Sequence, residues 1–191
     1  MSVMRRGIIL ISHAVTNSFV GYLSKDVGPS GRMIYTTDIS KAETIRYMGP
    51  SSQYTPVTRG EMRRAGAPGN LPFIGLIRGL ASTNNNIGPG SANYLHLADT
   101  AHTDPGALPA VGPNSETAQS GVPLTIESSV WNIDAYSGSI TAQWINSDGS
   151  TPTTTLATWG QSLIATGDLA ALQAQFPNTY NPVRFQILFS P

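Results

Sequence analysis

The chain has 191 residues, enough for one domain with a sizeable core, and its formal net charge is zero. Only 12% of residues are charged, against a usual share of roughly 25%, and the few basic residues have no aromatic interleaving, which argues against nucleic-acid binding. There is no cysteine, hence no disulfide or thiolate metal centre, and no run nears the roughly 18 apolar residues of a membrane span.

Strand signals dominate from the first residues. "MSVMRRGIILISHAV" resembles a signal peptide, but its apolar core, Gly7 to Ile11, falls short of the ~7–15 residues such a segment needs. Gly7–Val15 is therefore read as a first strand, and the compartment stays open between the cytoplasm and non-classical secretion. "SFVGYLS" (18–24) and "RMIYTT" (32–37) are rich in β-branched and aromatic residues, and the turn chemistry of "DVGPSG" separates them. "DISKAETIRYM" (38–48) is either a helix capped by Asp38 or a strand ending near Tyr47, and the strand is preferred.

Residues 49–72, with four prolines, read as a long loop, and "FIGLIRGLAS" (73–82) as a buried strand. Beyond it the chain is mostly loop to residue 123, including a long loop over 99–123, broken by a strand at "ANYLHLA" (92–98). "TIESSVWNID", "SITAQWINS" and "TPTTTLATW" predict a three-stranded meander joined by two hairpins. "GDLAALQAQFP" (167–177) is the one convincing helix, capped by Asp168 and ended by Pro177. "VRFQILFS" (183–190) closes as an alternating strand. With no βαβ alternation, this census predicts one all-β domain over 1–191, an antiparallel β-sandwich or jelly roll with one short helix near the C-terminus.

Charge is unevenly placed. Residues 1–78 hold ten Lys/Arg against four Asp/Glu, a net of +6, and residues 79–191 hold one against seven, a net of −6. Either the halves fold against each other and neutralise, or the molecule carries opposite faces that favour head-to-tail association and a homo-oligomer.

"FIGLIRGLAS", "GSANYLHLADT", "IESSVWNIDAYSGSITAQWINSDGSTPTTTLA" and "ATGDLAAL" together resemble a family of small β-rich proteins from mushroom-forming fungi. The match covers mainly residues 73–191, and its signature is a Glu-Ser-x-x-Trp strand, a Gly turn and a Gln-Trp-Ile-Asn-x-Asp-Gly-Ser hairpin. The resemblance implies the β-rich fold and a fungal origin, and supplies no catalytic residues.

Trp131 and Trp144 share strand faces with apolar partners, as core tryptophans do. The functional alternative lies at the hairpin ends, where Tyr136, Trp144, Asn146 and Asp148 could stack on a sugar ring and fix its hydroxyls. Asp148-Gly149 is also simply a turn device. "HLADTAHTD" spaces His96, Asp99, His102 and Asp104 suggestively, but their strand geometry scatters them, so no metal and no cofactor is assigned. No Gly-x-Ser-x-Gly elbow occurs, and Glu127 and Asp134 fall on opposite faces of one predicted strand, unlike a glycosidase pair. The leading expectation is a non-catalytic, lectin-like protein that binds glycans or other surface polymers. The alternatives are a self-associating structural protein and a small hydrolase.

Overall fold

The computed structural model describes residues 1–190, and strands dominate it from end to end. The first third carries β1 (Ser2–His13), β2 (Phe19–Val27), β3 (Met33–Thr36), β4 (Thr44–Pro50) and the short β5 (Val57–Gly60) and β6 (Met62–Arg64). Next come β7 (Phe73–Arg78), β8 (Tyr94–Thr100), β9 (Ala110–Val111), helix α1 (Ser115–Ser120), β10 (Thr125–Glu127), β11 (Trp131–Ile133) and β12 (Ser139–Ala142). β13 (Thr155–Trp159), β14 (Ser162–Thr166), helix α2 (Leu169–Gln175) and β15 (Tyr180–Phe189) complete the order.

The all-β expectation holds, but the sandwich does not. All strands belong to one antiparallel hydrogen-bonded network, and eight of them close a ring in the order β1, β4, β6, β7, β8, β14, β13, β15 and back to β1. β1 is long enough to close it: Ser2–Ile8 pairs with β4 and Gly7–His13 pairs with β15. Closure removes the long unpaired edges that a sandwich would expose, and the network ends only at β5 and the two-residue β9. An eight-stranded barrel has an interior that side chains just fill. Here Ile9, Ile11, Ile45, Met62, Ile74, Leu76 and Leu97 belong to one continuous core.

α2 seals a second cluster outside that core, seating Leu172 on Tyr94, Ala157 and Ile164. Its cap is the predicted one, with the Asp168 carboxylate accepting from the Ala171 N–H at 3.0 Å.

Several elements depart from expectation for local reasons. Both readings of 38–48 have substance: Asp38 caps a 3-10 turn over Ile39–Lys41, and β4 follows it. The expected loop at 49–72 contains β5 and β6, whose few residues pair with distant β11, β4 and β7 and so leave little local pattern. The expected loop at 99–123 contains β9 and α1, so the described residues hold two short α-helices rather than one. α1 is capped by Asn114 and ended by Gly121 in the left-handed region (φ 72°).

The three-stranded meander is only half formed. β11 and β12 make the predicted hairpin, but β12 and β13 each pair with β15 instead of with each other, and β13 turns into β14. The charge asymmetry is offset in part between the halves, where Arg32 pairs with Glu116 and Arg64 with Asp99.

Candidate functional site

The four residues expected to form a ligand site do not converge. β12 stops at Ala142, and the chain turns inward at Trp144, which is fully buried. Its indole N–H donates to the Asn85 carbonyl at 2.7 Å, so the ring is core and offers no face to a ligand. Asn146 is a clamp: Oδ1 accepts from the Ile87 N–H at 2.9 Å, while Nδ2 donates to the Ile87 carbonyl at 3.0 Å. This pins the 84–88 loop and consumes the amide that a sugar hydroxyl would need. Asp148 is exposed but is committed to its own turn, accepting from the Ser150 N–H at 2.9 Å and the Ser150 hydroxyl at 2.6 Å. Those two bonds hold its carboxyl below the usual range.

Tyr136 alone presents an open ring, 69% exposed at the tip between β11 and β12. The tip is stiff. Asp134 accepts from the Tyr136 N–H at 3.0 Å and the Ser137 hydroxyl at 2.7 Å, which keep its carboxyl below the usual range. Gly138 supplies a φ of 76° that a side chain would strain, and its N–H returns to the Asp134 carbonyl at 2.8 Å. Gln186 on β15 donates to the Ser137 carbonyl at 2.9 Å, tying the tip to the barrel.

A second ring meets Tyr136 from the other side. Tyr54 lies between β4 and β5 and is 72% exposed, with its centroid 5.3 Å from that of Tyr136 and the planes tilted by 35°. The β5–β11 ladder, with Val57 opposite Ile133, brings the two loops together. The Tyr54 turn is held by its N–H donating to the Ser52 hydroxyl at 3.2 Å. Arg5 supports the preceding strand end by donating to the Pro50 and Ser51 carbonyls, each at 3.1 Å. The result is a paired aromatic surface with an ionised Asp134 and the hydroxyls of Ser52 and Ser137 in the same two loops. Sequence reasoning missed Tyr54, whose only signal was an aromatic inside a Ser/Pro-rich segment.

The titratable clusters elsewhere are built for structure. His96 is buried on β8, with Nδ1 at 2.8 Å from Glu116 Oε2, and Arg32 grips Oε1 of the same carboxylate from Nε at 3.0 Å. Burial lowers the His96 pKa against the pull of Glu116, which favours the neutral imidazole, and an ionised Glu116 selects Nδ1–H as its donor. Burial also opposes ionisation of Glu116, yet His96 and Arg32 together hold its carboxyl below the usual range. Asp99 lies 3.0 Å from Arg64 Nε, and Glu43 lies 3.6 Å from the same nitrogen. Burial pushes Asp99 up to about 6, with Arg64 opposing and Glu43 adding to the rise. His102 reaches Glu61 at 2.8 Å and Asp104 at 3.1 Å on the surface.

The residues of "HLADTAHTD" are thus shared among three separate clusters, and no group of three ligating side chains among the described residues could hold a metal ion. Ser128 donates to the Glu61 carboxylate, whose same oxygen is also contacted by His102, and it makes no direct hydrogen bond to an imidazole. Glu127 and Asp134, read as one strand's opposite faces, belong to separate segments, one buried in β10 and one at the exposed tip after β11. No helix among the described residues is long and apolar enough to cross a membrane.

Comparison with family models, with curated proteins and with solved structures returned no match.

Proposed function

We propose that this protein is a non-catalytic, lectin-like binder of glycans, with the Tyr54–Tyr136 pair as its stacking platform. The observation that carries the reading is the contact of two tyrosines that are each about 70% exposed. Two exposed rings in contact make an aromatic patch, the kind of surface that marks interaction sites, and the C–H face of a sugar ring is a natural cover for it. Asp134 is held in its turn as Asp148 is, but it sits in the Tyr136 tip, and the lone pairs that the turns leave on Asp134, Ser52 and Ser137 would accept from sugar hydroxyls. A fungal origin, from the resemblance over residues 73–191, belongs to the same proposal.

The test is retention on immobilised polysaccharides, screened first on a glycan array. Tyr54→Ala and Tyr136→Ala should each abolish retention while leaving the melting temperature close to that of the parent. Unaltered retention in both variants would overturn the reading. Loss of a dimer in sedimentation, with no glycan bound by the parent, would assign the rings to self-association instead.

A further inference from the structure

We propose that the cleft on the outer face of β1, β4, β6 and β7 binds a small organic anion with an apolar body, such as an aryl or alkyl carboxylate, sulfonate or phosphate. The inference rests on residues remote in sequence from Tyr136 and is independent of the glycan reading.

Cross-strand register sets the chemistry. Arg6 stands opposite Arg46, Arg46 opposite Arg63, and Arg63 opposite Phe73, while Met4 stands opposite Met48. Inward neighbours Ile45, Tyr47, Met62 and Arg64 are buried, so Arg46, Met48 and Arg63 project from the barrel's outer surface. Like charges directly opposite on adjacent strands are destabilising. Neither Arg46 nor Arg63 makes an ion pair among the described residues, so no carboxylate there neutralises the central pair by direct contact. The one carboxylate on the cleft wall, Glu61, turns its Oε1 to Ser128 and His102 and makes no ion pair with Arg46 or Arg63. An anion seated between the two guanidiniums would relieve the repulsion.

Much of the remaining wall is apolar. Met4, Met48, Pro72 and Phe73 line a cleft of about 520 Å³ together with Arg46, Arg63 and the ion-paired Arg64, within the range of small-molecule sites. Met4 and Met48 are 65% and 55% exposed, and their flexible thioethers can close on a ring or chain. Arg63 is held in place, with its guanidinium carbon 4.5 Å from the Phe73 ring centroid. A concave wall with two unpaired cations fits one discrete amphiphilic anion better than it fits a flat membrane or a long polyanion.

The experiment titrates the full chain with anilinonaphthalene sulfonate, with the uncharged N-phenylnaphthylamine and with inorganic sulfate. The sulfonate should bind one per chain and shift the Met4 and Met48 methyl resonances. Arg46→Gln and Arg63→Gln should each weaken it about tenfold or more, the effect expected from loss of a charged hydrogen bond. Both variants should melt at or slightly above the parent, since both side chains are exposed and each change removes one of the two opposed charges. The neutral dye and sulfate should each bind about tenfold weaker than the sulfonate or worse. Unchanged sulfonate affinity in the double variant, or shifts confined to other methionines, would overturn the site. Equal binding of the neutral dye would remove the role of the arginines, and equal binding of sulfate would remove the apolar wall. Tyr54→Ala, which tests the glycan reading, should leave the sulfonate affinity intact.

Discussion

Replacing Glu127 with Gln should stabilise the protein, and increasingly so as pH rises. Glu127 is 3% exposed on β10, and its two carboxyl oxygens share one donor, the Ile145 N–H, at 3.2 Å each. Burial pushes its pKa up to about 8 from the ordinary 4.5, against the weaker pulls of the Ile145 N–H and Arg59. A raised native pKa means the folded state holds a proton that the unfolded state releases. The group's contribution is therefore complete below 4.5 and is lost as pH rises through about 8. At about 1.4 kcal/mol for each pH unit, the loss amounts to about 3 kcal/mol at about pH 7 and about 5 kcal/mol above about pH 9. Glutamine has nearly the same shape, keeps an acceptor for Ile145 and does not titrate. Urea unfolding of both proteins at several pH values is the assay. Other ionisable groups cancel in the difference, so the advantage of Glu127→Gln should widen from acid to alkaline pH by several kcal/mol. Curves that stay parallel within about 1 kcal/mol would refute the claim that Glu127 is buried as a neutral acid.

Trp144→Ala should cost about 3–5 kcal/mol, as removal of a large core aromatic does, whereas Tyr136→Ala should stay within about 0.5 kcal/mol; thermal or chemical unfolding separates them. His96, whose pKa burial lowers, should hold its neutral imidazole signals by NMR at a pH where His102, raised by its bonds to Glu61 and Asp104, has already gained a proton. Because the unfolded His96 takes up that proton first, its contribution to stability should shrink as pH falls below the ordinary 6.5. Asp148→Ala should leave glycan retention unchanged, since its carboxylate serves only the Ser150 turn.

Much of the secondary structure is local and was legible in the sequence. Alternation marks β15 through Val183, Phe185 and Ile187, and Asp168 with Pro177 brackets α2, because side-chain period and caps act over a few residues. Tertiary pairing decided the rest. Nothing near Ser2 announces that β1 will extend back to it, because that segment is a strand only by pairing with β4, and β1 meets β15 from the opposite end of the chain. Barrel and sandwich share one alternating pattern, and only those long-range ladders distinguish them. The same holds for the candidate site. "QWINSDGS" looks like an exposed hairpin until Asn146 clamps Ile87 and Trp144 donates to Asn85, both contacts 59 residues apart in sequence. Tyr54 becomes a partner of Tyr136 only because β5 pairs with β11. Local residue chemistry fixes periodicity, caps and turns, whereas convergence of distant side chains depends on which strands pair, and no single stretch of the chain carries that choice.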